Sequence, residues 1–119
     1  MQDFRRLKVW EKAHQLTLAV YTVTAKFPKA ELYGLASQMR CAAASAVCNI
    51  AEGSGRAGGP DFARFLSMAT GSASELEYQL LLAHDLSYMN PEEYHDLERC
   101  VIELKRMLAS LFQKVKSAA

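Results

Sequence analysis

The sequence lacks the features that mark several large classes of protein. It has only three cysteines in 119 residues, Cys41, Cys48 and Cys100, which are too few and too scattered for a disulfide scaffold. No apolar run approaches the roughly 18 to 20 residues of a membrane span. The N-terminal segment MQDFRRLKVW also lacks the apolar core of an export signal. These absences predict a cytoplasmic protein whose cysteines are reduced and buried.

An excess of charge of one sign is missing as well, because 14 Lys and Arg stand against 13 Asp and Glu. A net charge of +1 predicts no strong overall attraction to nucleic acid or to an anionic membrane. Any basic surface must therefore be local, or must arise when one patch is repeated around an oligomer. Half of the residues are hydrophobic, so we expect residues 1–119 to form one domain with a real core.

No stretch alternates apolar and polar residues for long enough to be a convincing strand. Apolar residues recur instead at steps of three and four, which predicts four helices over about 8–26, 34–52, 61–89 and 91–116. The stripes expected to face inward are Trp10, Ala13, Leu16, Thr17, Val20, Tyr21, Val23 and Thr24 on the first helix, Leu35, Met39, Ala42, Ala43, Ala46 and Ile50 on the second, and Phe62, Phe65, Leu66, Ala69, Ala73, Leu76, Leu80 and Ala83 on the third. Pro28 ends the first helix, and Gly53 is placed to cap the second. Asn90 and Glu93 form a capping box for the fourth. Short connections make neighbouring helices antiparallel, so the expected fold class is an all-α, up-down-up-down antiparallel four-helix bundle.

The second predicted helix is nearly bare of charge. Across residues 35–53 the only charged side chains are Arg40 and Glu52. A surface helix of a monomer shows one apolar stripe and one charged face. A helix with so few charged residues should therefore be covered on more than one side. The third predicted helix likewise has no charged residue between Arg64 and Glu75. We therefore expect a homo-oligomer with part of both helices between copies; the alternative is a monomer with an unusually plain surface.

Several residues of this plain region are candidates for structural or interface roles. The segment Gly71-Ser72-Ala73-Ser74 lowers helix propensity, and a close backbone approach to the alanines of the second helix would compensate for it. Either Glu75 or Glu77 is expected to pair with Arg40, inside the bundle or across an interface. The full set of candidates is Ala43, Ala46, Asn49, Glu52, Gly71, Glu75 and Glu77.

The glycines Gly53, Gly55 and Gly58 match the G-x-G-x-x-G spacing of a dinucleotide-binding loop. That fingerprint must follow a strand inside a βαβ unit, whereas here a helix precedes it. The sequence favours a flexible glycine-rich corner held by a contact such as an ion pair between Glu52 and Arg56. A weaker alternative is that Arg56 and the start of the third helix hold a phosphate or a carboxylate.

Two Glu-x-x-His pairs, Glu11–His14 and Glu92–His95, match part of the ligand pattern of di-iron bundles. Antiparallel helices would place the two histidines at opposite ends, roughly 20 to 25 Å apart, which argues against a shared metal ion. The sequence has no G-x-S-x-G elbow, and no cysteine lies in an evidently basic and exposed setting. We therefore expect no catalytic residues, no metal and no cofactor, with a metal-dependent enzyme as the least favoured alternative.

A longer motif is NIAEGSGR at residues 49–56, and other landmarks stand around it in order. They are LKVWEKA at 7–13, FPKAELYGL at 27–35, QMR at 38–40, FARFLSMATGS at 62–72 and ELE at 75–77. On these residues the chain resembles the family of small four-helix-bundle proteins encoded in intervening sequences of bacterial 23S ribosomal RNA genes.

The resemblance implies a homopentamer with no established catalytic role. It extends to a related branch, the accessory proteins of diversity-generating retroelements, which are implied to form a basic pentameric barrel that engages nucleic acid and a reverse transcriptase. This chain departs from the family pattern at Cys41, where a second basic residue often follows Arg40. It also has Val47 and Cys48 where proline often precedes the Asn49 segment.

Two functions fit these observations. The first is a nucleic-acid-associated oligomer, binding RNA or DNA, in which a modest basic patch is repeated from copy to copy. Its candidate contacts lie at the N-terminus and near the corner between the second and third helices: Arg5, Arg6, Lys8, Arg40, Arg56 and Arg64. The second is a scaffold that docks a protein partner and touches no nucleic acid, which the near-neutral net charge favours.

Overall fold

Four long helices carry the fold in the computed structural model, which describes residues 3–56 and 58–118. They are α1 (Lys8–Thr24), α2 (Leu35–Ser54), α3 (Gly59–Asp85) and α4 (Pro91–Ala118). Each helix packs against its neighbours in sequence, and α4 returns to pack against α1. The described residues contain no strand. The expected all-α bundle of four antiparallel helices is confirmed.

The interior is formed by one apolar stripe from each helix. The predicted stripes of α2 and α3 are buried along their whole length: Leu35, Met39, Ala42, Ala43, Ala46 and Ile50, and Phe62, Phe65, Leu66, Ala69, Ala73, Leu76, Leu80 and Ala83. Helix α4 contributes Leu97, Val101, Leu104 and Leu108 at alternating steps of four and three. The stripe of α1 is correct at Ala13, Leu16 and Val20 but not at Tyr21, which is exposed.

Helices α2 and α3 approach each other closely because the residues between them are small. Ala46 on α2 and Ala69 on α3 are buried, and the hydroxyl oxygens of Ser45 and Ser72 lie 2.9 Å apart across the groove. At the end of α2, a Cβ on Gly53 would lie 2.7 Å from the Cβ of Phe65. Gly53 therefore does not cap α2 as predicted. It lies inside the last turn, where only a residue without a side chain fits, and α2 continues to Ser54.

Helix α3 ends four residues earlier than predicted. Ser87 has a positive φ of 65°, and the N–H of Tyr88 donates to the carbonyl of Ala83 at 2.9 Å. The N–H of Ser87 donates to the carbonyl of His84 at the same distance. These are the two hydrogen bonds of a Schellman helix end, here built without the usual glycine. The sequence consequently carried no signal for this stop.

Glu93 holds the connection between α3 and α4 through hydrogen bonds with Asn90 and Lys26. The predicted capping box is confirmed, since the N–H of Glu93 donates to Asn90 Oδ1 at 2.8 Å and the N–H of Asn90 donates to Glu93 Oε1 at 3.2 Å. Lys26, just past α1, also donates to Glu93. The Lys26 bond, more than the Asn90 bond, holds the pKa of Glu93 below its ordinary value.

Glu31 joins the loop after α1 to two other segments. Its Oε1 accepts a hydrogen bond from the N–H of Leu35 at 3.0 Å, and its Oε2 accepts one from the hydroxyl of Tyr88 at 2.9 Å. Both bonds favour the ionised carboxylate, so the Leu35 bond first and the Tyr88 bond second hold the pKa of Glu31 below its ordinary value of 4.5. One side chain thus links the loop after α1 to the start of α2 and to the connection after α3.

The cysteines differ from the expectation of buried thiols. Cys41 and Cys48 are exposed, and Cys100 is partly buried. The error has a geometric cause: Cys41 and Cys48 lie two turns apart on the outer side of α2, away from the stripe that packs on α3.

Replacing Ala43 by glutamate should unfold the protein. Ala43 is 2% exposed, so the carboxylate would enter the core without a partner, at a cost of about 3 to 5 kcal/mol. Circular dichroism of Ala43→Glu should show lost helicity or a much lower Tm. The control Cys41→Glu adds the same charge to the exposed side of the same helix and should keep its helicity. Native helicity and Tm in Ala43→Glu would contradict this packing.

The hydrogen bonds of Glu31 should make stability depend on pH. Because folding lowers the pKa of Glu31, the contribution is present above the unfolded value of 4.5 and is lost as pH falls through the lower folded value. Urea unfolding of Glu31→Gln should therefore show reduced stability at pH 7 and a flatter decline below pH 4.5 than the wild type. The control Glu92→Gln removes an exposed glutamate that forms no ion pair among the described residues, and it should keep wild-type stability at pH 7. A wild-type pH profile in Glu31→Gln would count against this role.

Candidate nucleic-acid interface

Antiparallel packing gathers positive charge at one end of the bundle. This basic end consists of the start of α1, the end of α2, the start of α3 and the end of α4, namely residues 3–8, 50–56, 58–66 and 106–118. It holds eight Lys and Arg against three Asp and Glu. The cations are Arg5, Arg6, Lys8, Arg56, Arg64, Arg106, Lys114 and Lys116. The other described residues hold six Lys and Arg against ten Asp and Glu.

The net charge of +1 therefore conceals five surplus positive charges at one end and four surplus negative charges on the rest. The molecule is 45 Å long, several times the screening length of about 8 Å at physiological salt. A ligand at the basic end is consequently little affected by the carboxylates at the far end.

The N-terminal candidates lie within this basic end. Arg5 is engaged locally, because its backbone N–H and side chain both donate to Asp3 and its guanidinium lies 4.5 Å from the centroid of the Phe4 ring. Arg6 and Lys8 are exposed, and neither forms an ion pair within residues 3–56 and 58–118. They remain available to an external anion.

Arg40 does not belong to the basic end, contrary to the sequence prediction. It lies one turn into α2, and the 16 residues from there to Arg56 correspond to about 24 Å of helix. Arg40 Nε donates to Thr24 Oγ1 at 2.8 Å, and the guanidinium lies 4.7 Å from the centroid of the Tyr21 ring. These contacts fasten α2 to the end of α1, at the opposite end of the bundle.

The expected pairing of Arg40 with Glu75 or Glu77 is also not formed within the chain. Glu77 accepts a hydrogen bond from Lys105 Nζ at 2.9 Å and so links α3 to α4. Glu75 is exposed and accepts only from the side-chain amide of Gln79, at 3.4 Å, among the described residues. Glu75 and Arg40 are thus each left without an opposite charge in this part of the structure.

The corner between α2 and α3 holds a chain of four alternating charges. Arg56 lies 3.2 Å from Glu52 and 3.7 Å from Asp61, and Arg64 donates twice to Asp61 at 2.9 and 3.2 Å. Both guanidiniums lie against the ring of Phe65, 4.9 and 4.6 Å from its centroid. Asp61 occupies the first turn of α3, where a phosphate bound by Arg56 would have to lie. The two arginines are therefore largely committed to the corner itself.

Sequence reasoning missed the cations of α4. Arg106 lies near the middle of α4, and Lys114 and Lys116 lie near its C-terminal end. None of the three forms an ion pair within the described residues. Lys114 shares a groove of about 250 Å³ with Lys8, between α1 and α4. Two ammonium groups on one groove repel each other unless an anion lies between them. The signal was present in the sequence, since an antiparallel fourth helix must return its end to the start of the first.

The interface candidates fall into two groups. Ala43 and Ala46 are each 2% exposed and lie in the core of the chain itself, where no second copy reaches them. Asn49 is partly buried and donates to the carbonyl of Ser45 at 2.9 Å, whereas Glu52 and Gly71 are exposed. The predicted close approach of α2 to this segment of α3 occurs at Ser72, whose hydroxyl oxygen lies 2.9 Å from that of Ser45. It does not occur at Gly71, where a Cβ would meet no atom within 4 Å.

The outer sides of α2 and α3 form a surface with few charges, which we call the bare face. It consists of Cys41, Ala44, Ser45 and Cys48 on α2 and Met68, Gly71 and Tyr78 on α3. Met68 is 45% exposed and Tyr78 is 60% exposed. The low charge predicted for these two helices is therefore a property of their outer surface as well as of their core.

Two side chains away from the basic end that could act as nucleophiles, Cys100 and Tyr94, have raised pKa values. Burial, more than any other cause, raises the pKa of the Cys100 thiol and so disfavours the nucleophilic thiolate. The hydroxyl of Tyr94 donates to Glu98 at 2.8 Å, which raises the pKa of Tyr94 to about 12 and keeps it protonated at neutral pH. Neither group has the lowered pKa of an activated nucleophile.

Two other kinds of site have no candidate in the described part of the chain. Within residues 3–56 and 58–118, no three His, Cys, Asp or Glu side chains are grouped closely enough to hold a metal ion. Over the same part of the chain, no helix combines the length and apolar character needed to span a bilayer.

The fold has a close counterpart among solved structures. A crystal structure of a protein of unknown function from the S23 ribosomal protein family of Bacteroides thetaiotaomicron VPI-5482 superposes with a TM-score of 0.82. The match covers 88% of this chain and 95% of that chain, at 22% sequence identity. At this identity the likeness supports the fold and carries no function.

Family membership follows from the sequence over most of its length. Among curated proteins, none is similar enough to this chain for a function to be carried over. The model of the family described as 23S rRNA-intervening sequence protein matches residues 5–110, which include the NIAEGSGR segment and both helices of the bare face. The chain therefore belongs to the 23S rRNA-intervening sequence protein family.

Proposed function

We propose that this protein is a non-enzymatic, oligomeric four-helix bundle that associates with RNA through its basic end. The observation that carries the proposal is the gathering of cations there. Five of them form no ion pair within the described residues: Arg6, Lys8, Arg106, Lys114 and Lys116. Phosphate groups are bound chiefly by such exposed Lys and Arg. The family takes its name from sequences within 23S ribosomal RNA, which favours RNA over other polyanions.

Association of several copies would strengthen a patch of this size. In a closed ring with cyclic symmetry, every copy points the same end to the same side. The five surplus positive charges of each copy would then lie on one face of the ring. Each phosphate contact raises the logarithm of the binding constant, so contacts from several copies would multiply the affinity. The family resemblance implies five copies.

The bare face is the surface that we infer to lie between copies. An exposed glycine within a helix costs about 1 kcal/mol relative to alanine, and no neighbour in the chain packs against Gly71 to compensate. A second copy that packs closely at Gly71 would supply that compensation. Arg40 lies beside the bare face on α2, and Glu75 lies within it on α3, between Gly71 and Tyr78. A head-to-tail contact would let Arg40 of one copy meet Glu75 of the next.

A second candidate function is a scaffold that docks a protein partner. The loop before α2 favours it, because Tyr33 is 93% exposed and the adjacent Leu32 is 49% exposed. Exposed aromatic side chains of this kind are typical anchors of protein interfaces. Co-purification of a partner that survives nuclease treatment, and that Tyr33→Ala abolishes, would favour the scaffold.

Removal of the paired lysines should weaken RNA binding. The double variant Lys8→Gln/Lys114→Gln removes both positive charges from the groove between α1 and α4. Fluorescence anisotropy with labelled single-stranded RNA at about 0.1 M salt should show a loss of roughly tenfold, and the slope of log affinity against log salt should fall by about 1.4.

The matched control for this experiment removes two lysines from the other end. Lys26→Gln/Lys29→Gln changes the net charge equally and should leave RNA affinity within about twofold of wild type, because both positions are remote from the basic end. Equal losses in the two double variants would show that binding is non-local. No binding by the wild type, even at low salt, would overturn the proposed function.

A larger side chain at Gly71 should dissociate the oligomer without unfolding the bundle. Nothing within the chain obstructs a side chain there, so Gly71→Leu should keep its helicity while its mass falls to that of the 13.2 kDa chain. Multi-angle light scattering measures the mass, and Ala109→Leu, on the exposed side of α4, is the control that should remain assembled. An unchanged oligomer in Gly71→Leu would place the interface elsewhere.

A further inference from the structure

A second concavity at the basic end differs in character from the lysine groove. It lies between the start of α3 and the end of α4 and has a volume of about 350 Å³. Its wall is apolar over Pro60, Ala63 and the ring of Phe112, and two cations stand at its rim, Arg64 and Lys116. A volume of this size is within the range of small-molecule sites.

The two cations are held differently. Lys116 Nζ lies 5.7 Å from the centroid of the Phe112 ring and forms no ion pair within the described residues. Arg64 is oriented by Asp61 and by the ring of Phe65 at the same corner. The pocket thus combines an aromatic wall, one cation without an acidic partner and one cation fixed in place.

We propose that this pocket takes an unpaired nucleobase of RNA, which stacks on Phe112 while the adjoining phosphate is held by Lys116. The proposal rests on the proposed function and deepens it, because it specifies single-stranded RNA. The bases of duplex RNA are stacked inside the helix, where such a pocket cannot reach them. Aromatic rings beside cations are the platforms on which single strands bind.

The placement of the pocket relative to the lysine groove supports a continuous path for the strand. Lys114 lines the groove against α1, and Lys116 lines the pocket against α3. Residues two apart on a helix project about 200° from each other, so the two lysines lie on opposite sides of α4. A strand with one base in the pocket would therefore pass over the end of α4 and bring a neighbouring phosphate to Lys114 and Lys8.

The test removes the aromatic ring and keeps the apolar volume. Phe112→Leu is compared with wild type for binding of single-stranded oligouridine of about 12 nucleotides and of an RNA duplex of equal length, at about 0.1 M salt. Stacking on one aromatic ring strengthens binding by at least about fivefold, so the variant should lose that factor on the single strand and less than twofold on the duplex.

Two further variants separate stacking from folding and from charge. Phe112 also packs against the core. Phe112→Tyr keeps the ring and should retain wild-type affinity, whereas an equal loss for both RNAs in Phe112→Leu would indicate a packing role. Lys116→Gln should weaken binding of both RNAs. Tyr33→Leu removes an exposed aromatic ring at the other end of the bundle and should change neither.

The outcomes distinguish this inference from the function on which it rests. A loss on the single strand alone, restored by Phe112→Tyr, supports the pocket. Wild-type protein that binds the single strand and the duplex equally, with Phe112→Leu unchanged, overturns the pocket and leaves RNA binding by the basic end intact. Absence of binding to either RNA by the wild type overturns the proposed function as well. A fall in oligomer mass in Phe112→Leu, with RNA affinity unchanged, would assign the pocket to a neighbouring copy and also overturn the inference.

Discussion

The close contact between α2 and α3 is the constraint on which the rest of the structure depends. It exists because the facing residues are small, and Gly53 sets its limit, since a Cβ there would collide with Phe65. The same contact positions Phe65 under Arg56 and Arg64 at the corner. Antiparallel packing of α4 on α3 then places the end of α4 beside the start of α3, where the pocket at Phe112 is formed.

Charge in this protein is organised by topology rather than by composition. No segment of the sequence is strongly basic, yet four helix ends that are distant in sequence meet at one end of the bundle with eight Lys and Arg. Of these, Arg56 and Arg64 are largely neutralised by Glu52 and Asp61. An external phosphate binds most readily to exposed cations that have no carboxylate nearby, because no existing ion pair has to be broken.

Helical periodicity predicted what depends on one helix at a time: the buried stripes of α2 and α3 and the capping box at Asn90. It did not predict features that depend on neighbouring helices. Ser87 ends α3 in a conformation usually given to glycine, and Gly53 is required by packing rather than by a turn. At the candidate site, Arg6 and Lys8 lie at the predicted end, but Arg40 lies at the other, because α2 separates it from the corner. The lysines of α4 were missed although the predicted antiparallel topology already returns the end of α4 to the start of α1.

The unequal ends also give the molecule an electric dipole along its 45 Å axis. A polyanion exerts a torque on such a particle before any atoms touch, so encounters are biased toward approach with the positive pole leading. Copies joined side by side in parallel would add their dipoles, and copies joined antiparallel would cancel them. The relative orientation of neighbouring copies therefore decides whether one side of the assembly attracts polyanions or no side does.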